Sequence, residues 1–227
     1  LFNTFFSIYN DNGVATYTKQ VLDNEFRKLK AAGISDLIVD LRYNGGGAVS
    51  TAEYLDSAIA PAKANGQVMY QYIYNDKLTE NADMLGLTSK VSFSGTGGLS
   101  LDHVFFIVSR STASASELTL NNLKPYMDVK LIGDTTYGKP VGFIDFTISD
   151  YDSAHNKNYL ADLYAIDFET KNANGSGGYF EGIPPDVAAY DYINVGWGDP
   201  NDDNLAKIFS YINTGNFSRV HANESIT

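Results

Sequence analysis

Short, nearly continuous apolar runs alternate with helical patterns along this chain, and this alternation limits the fold to few architectures. Asp36–Leu41 is one such run, and Val104–Val108 is another. A strand that is apolar on both faces is typical of a parallel sheet covered by helices on both sides. Residues 16–32 carry an apolar helical stripe that ends at Gly33, and residues 49–60 form a second helical pattern. The sequence therefore predicts an α/β fold with βαβ units.

The rest of the chain adds strands and one more helix to this prediction. Further strands are predicted at residues 67–74, 129–133, 143–148 and 159–168. Residues 75–100 are polar and glycine-rich, which favours a surface loop or flap, and residues 171–178 favour a turn cluster. A final helix is predicted over residues 201–213.

Composition excludes several classes of function. The 227 residues, 44% of them hydrophobic, can bury one large core, with at most a small appendage. A net charge of −11 without a basic run argues against nucleic acid or an anionic membrane as partner. No cysteine is present, which excludes thiol catalysis and cysteine-ligated metals. The three histidines lack the spacing of a zinc helix, so no metal or other cofactor is expected. No apolar stretch approaches the ~20 residues of a transmembrane helix.

Ser114 is the first candidate for a catalytic group. It lies in the small-residue segment Ser111–Glu117, between an apolar strand and a helical pattern. Small side chains let a substrate backbone approach, and a helix N-terminus offers free N–H groups and a partial positive charge. Serines on such turns are usually helix caps, so this segment taken alone leaves both roles open.

Lys139 is the candidate base for this serine. It follows the predicted strand 129–133 and has Tyr137, Pro140 and Val141 as sequence neighbours. A lysine in apolar surroundings can lose its proton on burial and then act as a general base. A serine needs such a base to become a nucleophile. The two residues together are therefore a more specific signal than either one alone.

The segment around these two residues resembles the C-terminal processing peptidases, also called tail-specific proteases. In that family the serine of Ala-Ser-Ala-Ser-Glu pairs with a lysine 25 positions later, which is the separation of Ser114 and Lys139. Residues 40–47 (Asp-Leu-Arg-Tyr-Asn-Gly-Gly-Gly) match the family's strand-to-glycine-loop motif. Residues 182–186 (Gly-Ile-Pro-Pro-Asp) match its late motif. The order and spacing hold over roughly residues 1–213.

The resemblance implies a fold and an activity. The fold would be the spiral core of short, mostly parallel strands and helices shared by Clp-type and crotonase-type enzymes, with a small β-rich C-terminal part. The activity would be that of a serine-type endopeptidase with a Ser114–Lys139 dyad, cleaving polypeptide substrates near their C-termini. Residues 1–213 would form the catalytic core and residues 214–227 a loose tail. The family's PDZ module, usually upstream, is expected to lie outside this chain, and the location implied is the cell envelope or the exterior.

The triple glycine admits several interpretations. It can be a tight turn that needs positive φ, or a dinucleotide-binding loop, although Ser50 stands where that motif requires glycine or alanine. Resemblance to the family implies instead that one amide of this loop joins the N–H of Ala115 in an oxyanion hole. Gly46 and Gly47 are the two candidates for that amide. Asp40 and Arg42 of the same motif are expected to form a structural ion pair.

Two positions depart from the family pattern and leave the orientation of the lysine open. Phe143 stands four residues after Lys139, where many members carry a glutamine that helps to orient the amine. Pro125 stands where some members carry an aspartate. Glu117 is a candidate to hold the lysine, and equally a candidate to cap its own helix.

Two rival functions follow from the same residues. A non-catalytic module on this fold would retain the substrate groove and bind a peptide or another ligand in it. The absence of the lysine-orienting glutamine at position 143 supports this alternative. A crotonase-like acyl-CoA enzyme would use the glycine-loop amides, but that chemistry usually needs a glutamate base and no Ser/Lys pair. His103 is expected at the far end of the serine strand, and the acids of residues 199–203 are expected to cap the last helix instead of binding calcium.

Overall fold

The computed structural model describes residues 1–192 and 195–217 and places them in two sheets and six helices, with one 3-10 turn at Ala62–Ala64. The helices are α1 (Tyr17–Ala32), α2 (Val49–Ile59), α3 (Asp76–Glu80), α4 (Ala82–Leu85), α5 (Ala115–Leu123) and α6 (Asp203–Thr214). The strands are β1 (Asp36–Asp40), β2 (Val68–Tyr74), β3 (Lys90–Ser92), β4 (His103–Val108), β5 (Asp128–Gly133), β6 (Val141–Tyr151), β7 (Lys157–Asn172) and β8 (Val187–Ala188).

The first sheet is parallel and has the strand order β1-β4-β5-β8. Its register aligns Asp36 with His103 and Asp128, so the three strands begin at one edge and end together at the other. Long crossovers containing helices join these strands, as parallel pairing requires. The predicted α/β fold is confirmed, while the spiral arrangement of Clp-type and crotonase-type enzymes stays a prediction.

The central strand β4 explains why its sequence is apolar without interruption. Val104, Phe106 and Val108 face the larger core, which contains residues of α2 and α5. Phe105 and Ile107 face a smaller core beneath α6. All five side chains are at most 1% exposed, because side chains alternate between the two covered faces of the sheet.

The second sheet is antiparallel and has the order β3-β2-β7-β6. The predicted β-rich part is therefore assembled from both halves of the chain, because β2 and β3 join the late hairpin. The strands of that hairpin are longer than the sequence predicts, and β7 continues through Lys171 into the expected turn cluster. The turn itself follows at Asn172, whose Oδ1 accepts hydrogen bonds from the N–H groups of Asn174 and Ser176.

The prediction of a surface loop over residues 75–100 is wrong in part. This segment contains the short helices α3 and α4 and the strand β3, which pairs with β2. Phe93, directly after β3, is 1% exposed and packs on Tyr126. A three-residue strand is too short to show periodicity, which is why the sequence pattern does not reveal it.

The predicted final helix is present as α6, and Asp202 caps its first turn. Its carboxylate accepts hydrogen bonds from the N–H groups of Asn204 and Leu205, at 2.9 and 3.3 Å. Gly215 ends the helix at a φ of 72°, which suits glycine. Residues 218–227 of the predicted tail lie outside the described residues. Within the described ranges, no helix is both long and apolar enough to cross a membrane.

Candidate active site

Ser114 lies at the turn between the carboxyl end of β4 and the first residue of α5. Its backbone has φ 57° and ψ −117°, a conformation that non-glycine residues rarely adopt. Thr112 anchors the turn by donating its hydroxyl proton to the Leu41 carbonyl at 2.8 Å, and Ser109 donates its hydroxyl proton to the Arg42 carbonyl. The half-buried Ser114 is thus presented on a loop tied to the end of β1.

Lys139 lies in the segment that joins β5 to β6, and it lines the same cleft as Ser114. The Tyr137 N–H donates to the Thr112 carbonyl at 2.9 Å, which ties the lysine segment to the serine turn. The Nζ atom of Lys139 lies 5.3 Å from the centroid of the Phe143 ring. The structure therefore brings the two predicted residues to one cleft and places an aromatic face against the amine.

Glu117 connects the two catalytic candidates through their backbones. Its Oε2 atom accepts hydrogen bonds from the N–H groups of Ser114 at 2.9 Å and Lys139 at 2.8 Å. Its Oε1 atom accepts from the Thr136 hydroxyl at 2.6 Å and from the Gly138 N–H at 2.7 Å. Glu117 is 0% exposed, so these bonds form without competition from water. The sequence left open whether Glu117 caps its own helix or holds the lysine. The carboxylate does both, and it holds the lysine segment through the backbone N–H groups of Gly138 and Lys139 instead of the Lys139 amine.

The glycine loop packs directly on the serine turn. The Asn44 carbonyl accepts hydrogen bonds from the Ala113 N–H at 3.1 Å and from the Ser116 hydroxyl at 2.9 Å. Gly46 approaches so closely that a Cβ there would lie 2.8 Å from the Ala113 carbonyl oxygen and 2.9 Å from the Ser114 Cβ. Glycine is required here for space as well as for its positive φ of 99°.

The candidate oxyanion donors differ in whether their N–H groups are free. The Gly46 N–H already donates to the Asn44 Oδ1 at 2.9 Å. The N–H groups of Ala115 and Gly47 have no hydrogen-bond partner among residues 1–192 and 195–217. Of the two glycines predicted from the sequence, Gly47 is therefore the one with a donor to spare in this structure.

The cleft has an apolar floor beneath the serine and the lysine. Its lining includes Leu118 of α5, Phe168 of β7 and Tyr179. Burial, followed by the negative charge of Glu117, raises the pKa of the Tyr179 hydroxyl above its ordinary value. Tyr179 is therefore a neutral hydroxyl at physiological pH and adds no charge to the cleft.

Arg42 and Asp40 form the expected ion pair, at 3.0 Å. The same guanidinium also contacts Asp191 at 2.8 Å and Asp202 at 2.9 Å, so it joins the glycine loop to the cap of α6. Burial acts to lower the pKa of Arg42, but the three carboxylates outweigh it and the net shift is upward. Arg42 is a permanent cation that holds structure around the site.

The remaining candidates lie away from the cleft. His103 is at the opposite end of β4, where its Nδ1 is 2.8 Å from an Asp36 carboxylate oxygen. His103 therefore does not form a Ser–His pair with Ser114. Within the described parts of the chain, no group of three or more histidine, aspartate or glutamate side chains is arranged to hold a metal ion. Pro125, the other departure from the family pattern, lies in the turn after α5.

A serine on a tight turn between a parallel strand and a helix is the placement that α/β serine hydrolases use for their nucleophile. The family model for peptidase family S41 matches residues 6–189. The chain belongs to peptidase family S41.

Individual relatives agree with this family. The chain is 30% identical, over 122 residues, to the chloroplastic C-terminal processing peptidase of Tetradesmus obliquus. A protein from Bacteroides fragilis assigned to the S41 proteases matches 93% of the chain with a TM-score of 0.75 and 26% identity. The photosystem II D1 C-terminal processing protease matches 82% of it with a TM-score of 0.55 and 23% identity, and supports the fold alone.

The matches cover only part of each relative. The chain spans 24% of the Tetradesmus peptidase and 53% of the Bacteroides protein. The activity and substrates of the whole protein are therefore matters for a proposal.

Sequence reasoning underestimated two residues that hold the cleft together. Asn44 bridges the glycine loop and the serine turn, and Thr136 links Glu117 to the late motif by accepting the Ile183 N–H at 2.7 Å. A signal for Glu117 was present, because a serine followed three residues later by glutamate is the pattern of a capping box. No local pattern predicts the bridges made by Asn44 and Thr136, since the segments that they join are distant in sequence.

Proposed function

We propose that this protein is a serine-type endopeptidase in which Ser114 is the nucleophile and Lys139 is the general base. The observation that carries the proposal is the shared cleft of these two side chains, which is also lined by Ala115 with its unpartnered N–H group. Membership of peptidase family S41 supports the reaction class.

The proposed reaction has two halves. Neutral Lys139 takes the hydroxyl proton of Ser114 as Oγ attacks a peptide carbonyl, and the N–H groups of Ala115 and Gly47 stabilise the oxyanion. Lys139 then gives the proton to the departing amine, which leaves an acyl-enzyme ester on Ser114. In the second half Lys139 deprotonates a water that attacks the ester, and the serine hydroxyl is restored.

Three finer features of the function belong to the same proposal. Substrates are polypeptides cleaved near their C-termini, as in the relatives named for C-terminal processing. Residues 1–213 act as the catalytic core, with any peptide-presenting module elsewhere in the protein. The setting is the cell envelope or the exterior.

Substitution of the two residues tests the dyad. Ser114→Ala and Lys139→Arg should each lower kcat for an unstructured peptide by about 10³-fold or more, since arginine keeps its proton and cannot accept another. Lys28→Arg, an exposed change on α1, is the control and should retain activity. A serine-reactive phosphonate should label Ser114 and not Ser111 or Ser116. Retained activity in Lys139→Arg, or labelling elsewhere, would remove the assignment.

A non-catalytic peptide-binding module is the second candidate, and one contact favours it. The Phe143 ring lies 5.3 Å from the Lys139 Nζ, a cation–π arrangement that gives the lysine a role other than catalysis. A module of this kind would bind peptides without hydrolysing them. It would show equal peptide affinity in the natural protein and in Ser114→Ala, no phosphonate labelling and no turnover.

A further inference from the structure

A cavity of about 420 Å³ lies at the carboxyl edge of the parallel sheet, apart from the cleft of Ser114. The last residues of β4 and β5, Val108 and Gly133, line it together with Ala188 of β8. Among the described residues, none that lines this cavity also lines the cleft of Ser114 and Lys139. In open α/β sheets, ligands bind in the crevice outside the carboxyl ends of the strands, and small-molecule sites have volumes of about 300–1,000 Å³. The cavity is therefore a candidate for a second binding site.

Asn204 contributes a buried acceptor without a partner to the wall of this cavity. Its Nδ2 group donates to the Tyr190 carbonyl at 3.1 Å, and its backbone N–H donates to the Asp202 carboxylate at 2.9 Å. The first bond fixes the orientation of the amide and leaves Oδ1 as an acceptor to which no described residue donates. Asn204 is 1% exposed, and a buried acceptor without a donor costs about 1–3 kcal/mol. A ligand with an N–H group at this wall would supply the missing donor.

The wall around Asn204 is acidic. The Asp202 carboxylate that accepts from Asn204 is one of three carboxylates that share the Arg42 guanidinium, so this cluster has a net negative charge. Two members of the cluster, Arg42 and Asp191, line the cavity, and so does Asp134. Excess negative charge favours a cationic donor over a neutral one. The donor group that best fits this wall is therefore an ammonium.

Arg110 lines the same cavity and has no carboxylate partner of its own. One nitrogen of its guanidinium donates to the Thr136 carbonyl at 3.1 Å. Across residues 1–192 and 195–217, no carboxylate pairs with this guanidinium and no acceptor bonds to the Arg110 backbone N–H. A guanidinium presents its N–H donors as a planar fork that matches a carboxylate. Arg110 is therefore suited to bind a carboxylate that enters the cavity.

We propose that this cavity binds a small zwitterion, an amino acid or a dipeptide, with its ammonium group at Asn204 and its carboxylate on Arg110. A ligand with only one of these charges would leave the complementary group of the cavity unpaired. Ile107, Ala188 and Ala189 add an apolar lining, which suits a small apolar side chain such as that of alanine. The inference does not depend on the proposed peptidase function, because it uses no residue of the Ser114 cleft.

Blocked ligands test the two charges with the protein unchanged. The probes are alanine and alanylalanine, each also in an N-acetylated form without the ammonium and in a C-amidated form without the carboxylate. Isothermal titration calorimetry should show that at least one unblocked probe binds with a Kd below about 10 mM. Either block should weaken that binding about tenfold or more, the value of one hydrogen bond to a charged group. Absence of binding by both unblocked probes, or equal affinity of a blocked form, would overturn the proposal.

Substitutions locate the bound ligand. Arg110→Gln should weaken the unblocked probe about tenfold or more and remove the effect of amidation. Arg27→Gln, an exposed change of the same type on α1, is the matched control and should bind as the natural protein does. Asn204→Leu should remove most of the effect of N-acetylation, and circular dichroism checks that it folds. If it does not fold, the blocked ligands and Arg110→Gln decide the question.

A further variant separates this cavity from the candidate active site. Lys139→Met changes the Ser114 cleft and should bind the probes with unchanged affinity. Loss of binding in Lys139→Met, or unchanged binding in Arg110→Gln, would place the ligand outside the cavity and overturn the proposal. Neither result bears on the proposed nucleophile, which phosphonate labelling of Ser114 tests separately.

Discussion

At the scale of single residues, Glu117 determines how the serine and the lysine are positioned. Its buried carboxylate accepts four hydrogen bonds. The lysine segment donates to both carboxylate oxygens, and the serine turn donates to Oε2 alone. A side chain whose atoms all act as acceptors fits this position. The positions of Ser114 and Lys139 are therefore set by a side chain that is hydrogen-bonded to the backbone N–H groups of both residues.

Glu117→Gln should disturb both loops at once. An amide has one acceptor oxygen, so in either orientation its NH₂ group faces a backbone N–H that loses its partner. We expect the free energy of unfolding, measured in urea, to fall by about 1–3 kcal/mol. We also expect a lower kcat, while the phosphonate still labels Ser114. Glu80→Gln, on an exposed face of α3, is the matched control and should lie within about 0.5 kcal/mol of the natural protein. Equal stability of the two variants would contradict the bridging role.

Asp56 should make the stability of the protein fall as the pH rises. It is completely buried between α2 and α5, where its Oδ2 accepts a hydrogen bond from Asn122 at 2.8 Å. Burial, with a smaller effect of the charge on Glu53, raises its pKa to about 7. Below the ordinary carboxyl pKa of about 4 the group is neutral in both the folded and unfolded states, and it stabilises the fold fully. Between about pH 4 and 7 the unfolded chain releases the proton while the folded chain retains it, so stability is lost.

The neutral variant Asp56→Asn isolates that effect. The free energy of unfolding of the natural protein, minus that of the variant, should decrease by a few kcal/mol between about pH 4 and 7. Urea titrations at several pH values measure this difference. A difference that is independent of pH would show that Asp56 is ionised in the folded protein.

At the scale of helices and strands, sequence periodicity was informative wherever an element is long or buried on both faces. The helix ending at Gly33 and the strand Val104–Val108 lie where the pattern predicts them, because half-buried side chains of the helix such as Phe26 and Leu29 pack on the core and the strand is buried on both faces. The strand β3 was missed, because three residues carry no period and pairing with β2 fixes its conformation. The association of β2 with β7 was missed for a related reason, since sequence gives strand content but not the partner.

The candidate site was predictable to the extent that it lies in local motifs. Ser114, Lys139 and the glycine loop stand in short segments whose composition marks them. The contact of Phe143 with the Lys139 amine was not predictable, because it depends on where β6 starts relative to the lysine. The same holds for Asn44, whose bonds join segments about 70 residues apart.

Asp202 should stabilise α6 in two separable ways. Its carboxylate caps the helix and also pairs with Arg42 at 2.9 Å. Burial acts to raise its pKa, but the Arg42 contacts outweigh burial and the pKa is lowered. We expect Asp202→Asn, which keeps a capping oxygen, to lose about 1–3 kcal/mol, and Asp202→Ala to lose about 1 kcal/mol more. Thermal unfolding measures both values.

The sign of the pH effect distinguishes the ion pair from the cap. A lowered carboxyl pKa stabilises the fold above about pH 4, and this contribution is lost as the pH falls. The stability difference between the natural protein and Asp202→Asn should therefore shrink in acid. A constant difference down to pH 3 would mean that the ion pair contributes nothing.

At the scale of the whole molecule, the two sheets share one hydrophobic core. Tyr70 of β2, Phe106 of β4 and Leu131 of β5 belong to the same buried cluster, each at most 1% exposed. A domain boundary normally falls where few contacts cross, and this core crosses from one sheet to the other. The interval 1–213 is accordingly expected to behave as a single folding unit.

A single cooperative transition is the expected outcome of unfolding. Far-ultraviolet circular dichroism reports both sheets, and the fluorescence of Trp197, the one tryptophan of the chain, reports the region around Arg42. The two signals should give the same midpoint in urea, as for a two-state domain. Separate midpoints would mean that the Arg42 region and the remainder unfold independently.

The unusual backbone conformation of Ser114 affects how the thermal stability of this protein can be increased. A residue in its conformation costs of order 1–3 kcal/mol, which the surrounding bonds must offset. Glycine adopts that conformation freely, so Ser114→Gly should be about 1 kcal/mol more stable than Ser114→Ala, although both lack the proposed nucleophile. Selection for thermostability alone would therefore favour discarding the serine. Any laboratory evolution of this chain needs a selection for turnover to keep it.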